Sequence, residues 1–565
     1  MQWRGRKAFR LAILLILGVL AGPATVVWGQ LEDASATVPR SRDAVIDQIN
    51  AHIEQVWFDY ELKPSRLATD GEWCRRVFLD VIGRIPSVEE AQEFIDSDDP
   101  EKKTKLVETL LYDDRYTEEF ARNWTTVWTN LLIGRTGGTD NNSMISREGM
   151  QKYLRDSFAR EKPYDKMCYE LVTASGTTTP GDEDFNGATN FLIDKVNADQ
   201  AALATAATTR VFLGLQVQCT QCHNHPFNDW KQQKYWETNA FFRQVRAFSG
   251  GMRARDGGVA RLADQDFRGE SGNNEDEAEI FYELRNGLVA VAYPVFLDGT
   301  EVGRSGLVNV VNRRKVFADM MIESPYFTKS IANRMWGHFL GHGFTKPVDD
   351  LGPHNIPSNP ALLEFLAQEF RNGGFDLRQM ITWITLSKPY QLSSRQDGND
   401  ADDPLLGEAP KFTHFYIRQM EAEQLYESLR VATEADRAQV SYEEQERRKS
   451  RWLAQFNQAF GNDEGQESTT FDGTIPQVLM MFNGEMIKEA ISTDSGSMID
   501  RLASSGLKYN RCVDHLFMAG LTREPTTRES GMARDFLQAR GGNAKEALRD
   551  VWWVVLNTNE FIFNH

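Results

Sequence analysis

Residues 215–227 read LQVQCTQCHNHPF. Cys219, Cys222 and His223 fall in the spacing C-x-x-C-H, and His225 follows two residues later. The chain has only five cysteines and nine histidines among 565 residues, so this stretch concentrates two scarce residue types. Four chemistries use such a cluster. Two thiols three positions apart on a helical turn can each form a thioether to one vinyl group of a single haem, and the adjacent imidazole then lies under the iron. Cys219, Cys222, His223 and His225 are also competent zinc ligands, but four ligands this close in sequence rarely close a tetrahedron without partners from elsewhere. A Cys219–Cys222 redox disulfide is the third reading. The fourth is structural, with buried thiols and hydrogen-bonded histidines.

The compartment bears on the choice. The chain opens MQWRGRKAFRLAILLILGVLAGPATVVWGQ. Arg4, Arg6, Lys7 and Arg10 form a basic stretch, Leu11 to Ala21 an apolar run too short to span a bilayer comfortably, and small residues follow. This predicts a secretory signal over residues 1–29 and a periplasmic or secreted mature protein. Export permits covalent haem attachment and disulfides alike. Outside the motif only Cys74, Cys168 and Cys512 remain, so the chain is not a disulfide scaffold and must rely on a packed core.

Hydrophobic residues make up 41% of the chain, with 13 Trp and 33 Phe, enough for large cores. The net charge is −18, and removal of the four basic residues of 1–29 makes it about −22. So acidic a chain is a poor partner for nucleic acid or an anionic membrane surface. No P-loop, G-x-S-x-G or H-E-x-x-H is present, and no catalytic residue is assigned.

The elements that must hold the motif are mostly helical. Ile46, Ile49, Ile53, Val56 and Trp57 recur at helical spacing, as do Phe120, Trp124, Trp128 and Leu131. Ser87 and Glu90 make a capping box. A break near Pro163 divides two helices, and ADQAALATAATTRVFLGLQVQ predicts a long Ala-rich helix running into Cys219. KQQKYWETNAFFRQVR predicts another. From Ser249 the chain turns rich in Gly and acids, with one strand candidate, GLVAVAYPVFLDGTEVG, bounded by Gly287 and the Asp298-Gly299 turn. Helices resume after Asn312, and residues 432–473 read as an exposed helix and an acidic loop.

WCRRVFLDVIGRIPSVEEAQEFI, LLYDDRYTEEFARNW, PYDKMCYELVTASG and TRVFLGLQVQCTQCHNHPFNDWKQQKYW resemble the planctomycete cytochrome-c-type domain family. SPYFTKSIANRMWGHFLGHGFTKPVDDLGPHNIPSNPALLEFLAQEF, LSKPYQLSS, TIPQVLMMFNGEMI and LNTNEFIFNH resemble the planctomycete-specific domain that usually follows it. The resemblance covers residues 45–565 almost completely. It implies an exported, mostly helical two-domain protein with a cytochrome suggestion resting on the same C-x-x-C-H. Many relatives carry an extra N-terminal C-x-x-C-H domain, which this sequence does not show. His338 matches a family position and stands four residues before His342, a spacing that can hold a metal or offer a distal iron ligand. Relatives often have Arg at the position of His342, so no ligand role passes to it. Asp349 and Asp350 suggest a carboxylate site or, more simply, a capped loop.

These readings predict a mainly α chain: signal 1–29, a helical domain 43–248 with the motif, a mobile acidic linker or insertion 249–309 with short strands, and a second helical domain 310–565. The expected function is a c-type-cytochrome-like redox protein with haem c on Cys219, Cys222 and His223. The alternative is a non-haem protein with a disulfide or a divalent metal such as zinc, drawing on His223, His225 and His338, that acts on extracellular polymers. The expected partner is a redox protein or such a polymer, with no nucleic acid and no membrane span after signal cleavage.

Overall fold

Apolar residues at helical spacing dictate most of the secondary structure. In α1 (Arg42–Asp59), Val45, Ile49, Ile53 and Trp57 are buried on one face, one residue off the stripe at its start. α2 (Asp70–Ile82) is buried almost all round and opens with a capping box from Thr69 to Glu72. α3 (Val88–Ile95) opens with the expected box: Ser87 Oγ accepts from the Glu90 amide at 3.2 Å, and Glu90 Oε2 accepts from the Ser87 amide at 2.7 Å. Replacing Ser87 by Ala is expected to cost about 1 kcal/mol, read as a lower urea midpoint at unchanged slope.

The structure is a computed structural model and describes residues 40–140, 143–197, 199–228, 230–249, 260–396, 402–434, 445–453 and 485–565. The expected signal lies outside the described residues, as does most of 432–473. Helix makes up 55% and strand 6%, which makes the chain mainly α. No described helix is long and apolar enough to cross a membrane.

α4 (Lys102–Tyr112) packs on α5 (Asp114–Ile133), whose inward face is Phe120, Trp124, Trp128 and Leu132. α6 (Arg147–Ala159) and α7 (Tyr164–Thr173) flank Pro163, which N-caps α7. α8 (Ala202–Leu213) stops short of the motif, and α9 (Gln232–Asn239) follows it. The helix expected through Arg246 instead ends at Asn239, and Val245–Phe248 becomes a strand. With β1 (Gly176–Thr177), β2 (Val245–Phe248) and β3 (Arg261–Asp264), it forms an antiparallel sheet in the order β1-β3-β2. The expected strand is the second arm of a hairpin, β4 (Ile280–Glu283) with β5 (Val289–Ala292).

α10 (Arg313–Glu323), α11 (Pro325–Leu340), α12 (Pro360–Asn372) and α13 (Leu377–Leu386) lead to β6 (Arg418–Gln419) and α14 (Ala422–Ala432). Further helices, Tyr509–Leu521 and Ala544–Leu556 among them, precede β7 (Phe563–Asn564), which pairs antiparallel with β6.

The core crosses both expected boundaries. One apolar cluster runs from Val45 to Tyr416, and a second gathers the C-terminal helices around Trp552 with Leu79, Ile85 and Val88. All described residues fall in one compact unit, Pro39–His565. The Gly- and acid-rich stretch is bonded onto the helices where it is described. Buried Arg313 donates to the carbonyls of Ala278 (2.9 Å) and Arg304 (2.6 Å), and Gln244 donates to Gly306 (2.9 Å).

Charged groups also join the halves. Asp80, on α2 and almost fully buried, accepts from Tyr390 Oη (2.7 Å), Arg418 Nη2 (2.9 Å to each oxygen) and Asn564 Nδ2 (2.7 Å). Three remote segments thus end on one carboxylate.

Candidate functional site

α8 stops at Leu213 because Gly214 adopts φ +62°, a left-handed C-cap. A Cβ at Gly214 would stand 3.0 Å from Leu351 Cδ1, and its carbonyl accepts from the Leu351 amide at 2.6 Å. The chain therefore leaves the helix before the motif, against the expectation of one continuous helix. A 3-10 turn, Gln218–Gln221, carries the first cysteine, and Thr220 between the two thiols is buried as its anchor.

α9 holds the turn from the other side. The Gln221 carbonyl accepts from Trp236 Nε1 (3.1 Å) and Gln232 Nε2 (3.1 Å), and Asn224 Oδ1 accepts from the Gln232 amide (3.0 Å). The His225 amide donates to the Trp230 carbonyl at 2.8 Å. The loop is thus rigidly tied, yet Cys219, Cys222 and His223 face solvent.

Both thiols are free. Shielding by nearby atoms, the largest influence, together with the Asp350 carboxylate holds the Cys219 thiol above its usual range. That direction is the opposite of the lowered pKa that drives thiol–disulfide exchange.

The two motif histidines differ in which nitrogen is available. His223 Nδ1 lies 2.6 Å from the Asn224 carbonyl oxygen. A carbonyl only accepts, so Nδ1 bears the hydrogen and Nε2 keeps its lone pair. His225 is the reverse: its Nδ1 accepts from the Phe227 amide at 3.2 Å, so Nε2 carries the hydrogen. His223 is set up as a ligand through Nε2, and His225 is not.

A second loop, from far along the chain, closes over this turn. Asp349 Oδ1 accepts from Gln216 Nε2 at 2.8 Å. Asp350 Oδ1 accepts from the Gly352 amide (3.1 Å), which caps the loop, and Oδ2 accepts from His354 Nε2 (3.0 Å). Asn228 Oδ1 takes the Trp230 amide (2.9 Å), which turns its Nδ2 towards His354 Nδ1 (3.0 Å). The Asp350 carboxylate only accepts, so the His354 Nε2 it faces bears a hydrogen. Its ring stands 4.8 Å from that of His225, centroid to centroid. Burial, then the neighbouring His354, lowers the His225 pKa.

The sequence reading missed His354, Asn228 and Asn224. One signal was present: a Cβ on Gly352 would meet His354 Cε1 at 2.7 Å, so the glycine in DDLGPH makes room for that ring.

His338 is not brought to the turn. Its ring packs on Trp124 (5.1 Å) and Phe339 (5.0 Å), and its buried Nε2 has no hydrogen-bond partner among the described residues. α11 ends at Leu340, so His342 leaves the helix and its ring stands 4.9 Å from Tyr416. Among the described residues, no three His, Cys, Asp or Glu side chains are gathered to hold a metal.

Burial pushes His338 down to about 4 from an ordinary 6.5. The unfolded chain therefore takes up the proton first. Stability from neutral His338 is complete above pH 6.5 and is lost as pH falls through about 4. His342 and His565, also pushed down to about 4 by burial, act in the same window. The urea midpoint is expected to fall across this range, and less steeply in His338→Leu. An unchanged slope in the variant would locate the acid sensitivity elsewhere.

The molecule is thus a mainly helical protein that presents a tied C-x-x-C-H turn at its surface, closed over by an Asp–His loop from its second half. Two family models match it: PSCyt2, a protein of unknown function (DUF1549), over residues 48–247, and PSD1, a protein of unknown function (DUF1553), over residues 313–458. The chain carries a PSCyt2 domain followed by a PSD1 domain. The turn lies in the first and the Asp350–His354 loop in the second. The name of the first family marks it as cytochrome-like. No curated protein and no solved structure matches the chain.

Proposed function

We propose that this chain is an exported redox protein carrying one covalently held haem, with Cys219 and Cys222 as its thioether donors and His223 as its iron ligand. The observation that carries the reading is the hydrogen bond from His223 Nδ1 to the Asn224 carbonyl, 2.6 Å long, which leaves Nε2 as a lone pair beside two free thiols. A metal-ligating histidine is commonly oriented in this way, with its other ring nitrogen donating to a backbone carbonyl. When bound, the haem supplies one-electron redox chemistry.

The protein's own groups have separate tasks. Cys219 and Cys222 would hold the haem as thioethers, a linkage made by exchanging S–H and a vinyl π bond for C–S and C–H, which would need no leaving group and no external oxidant. Both thiols are free and exposed, where a haem could reach them. Asn224 fixes the His223 tautomer while its side chain binds the start of α9. The Asp350–His354–Asn228 chain braces the far side of the loop, and His225 stays outside the ligand set. Exposure of the turn suits electron exchange with a separate redox partner.

Export from a host with working haem-attachment machinery tests the reading. The reduced pyridine-haemochrome spectrum is expected to show c-type bands that survive denaturation. A colourless protein from that host would contradict it.

A further inference from the structure

A cavity of about 490 Å³ lies away from the C-x-x-C-H turn, between the first turn of α2 and the C-terminal segment. Its floor is polar and fixed. Glu72 accepts from Ser393 Oγ (3.0 Å) and the Ser394 amide (3.0 Å). Glu560 is clamped by Arg523, with Nε and Nη2 each 2.6 Å from one oxygen. His565 Nδ1 faces the Phe563 carbonyl at 3.2 Å and so carries the hydrogen. Its Nε2 is then a lone pair, 4.0 Å from Glu560 Oε1.

His565 Nε2 and Glu560 Oε1 therefore both line the cavity as acceptors for a donor from a ligand. A hydroxyl placed there sits about 2.7 Å from an acceptor it bonds. At the mouth, Arg66 and Arg395 are exposed, and neither side chain has an ion-pair or hydrogen-bond partner among the described residues. An unpaired pair of guanidinium groups favours an anionic substituent. Phe563 supplies an apolar wall suited to the C–H face of a ring.

We infer that this cavity binds an acidic saccharide, its hydroxyls donating to Glu72, Glu560 and His565 Nε2 and its carboxylate meeting Arg66 and Arg395. A free amino acid would also offer donors and a carboxylate. It would fill little of the volume and leave Phe563 uncovered, so the saccharide is the better fit. The site is independent of the haem reading.

Calorimetric titration of the mature full-length protein with digalacturonate tests it. Saturable binding is expected, and the neutral disaccharide cellobiose is expected to bind at least about tenfold more weakly, the loss of a charge-assisted contact. The double variant Arg66→Gln/Arg395→Gln, altered only at exposed positions, should weaken digalacturonate by a similar factor while its melting curve stays that of wild type. His565→Phe should weaken both sugars. No saturable digalacturonate binding, or binding unmoved by the double variant, would overturn the inference. So would equal, variant-sensitive binding of L-glutamate or inorganic sulfate, which would mark a plain anion site.

Discussion

Replacing Cys219 and Cys222 together by Ala is expected to abolish covalent haem in the exported protein. Each thiol supplies one of the two C–S bonds, and neither has a substitute: Cys74 and Cys168 are wholly buried and Cys512 nearly so. A single change leaves one thioether, and attachment should weaken or fail. His223→Ala keeps both thiols but removes the only motif imidazole whose Nε2 is unprotonated. Any haem retained should then show altered iron ligation in its visible spectrum. His225→Ala should have the smaller effect, because its Nδ1 is taken by the Phe227 amide. Equal sensitivity of His223 and His225, with bound zinc and no colour, would favour the metal reading. Heat-stable haem in the double variant, measured by in-gel haem staining, would contradict the assignment of the thiols.

The largest effect on stability is expected from Asp80→Ala. This carboxylate gathers Tyr390, Arg418 and Asn564, and its loss strands a partly buried guanidinium that also donates to the His338 carbonyl. Removing one partner of a buried ion pair leaves the other charge uncompensated; Arg418 keeps some contact with water, so a cost of about 3 kcal/mol, the low end for such pairs, is expected. Asp80→Asn preserves the shape and one acceptor oxygen and should cost less. Urea unfolding of both variants measures this. A midpoint for Asp80→Ala within error of wild type would show that the hub is not what joins α2 to the C-terminal strand pair.

The sequence made legible what depends on neighbours along the chain. Aromatic and aliphatic stripes give α1 and α5, Ser87 with Glu90 gives the start of α3, and Asp298-Gly299 gives a turn in which the Thr300 amide bonds Asp298 Oδ1 at 2.8 Å. C-x-x-C-H was legible because scarce residues at fixed spacing stand out. What distant contacts decide was not legible. α8 ends early because Gly214 meets Leu351. Residues 245–248 leave helical spacing because β3 offers them a ladder. The pair Gln216 and Asp349 is separated by 133 positions, so no local pattern announces that the Asp350–His354 loop completes the site. The His338–His342 spacing reads as a ligand pair only if α11 continues, and it stops at Leu340.

Covalent haem on the exposed C-x-x-C-H turn adds a fixed mass to the chain. Intact mass of the wild-type exported protein, recorded after acid denaturation has stripped anything held without a bond, tests it most directly. The expected value is the mature chain plus the mass of one haem, with that increment absent from the Cys219→Ala/Cys222→Ala protein made in the same host. A wild-type mass equal to the bare mature chain would contradict it.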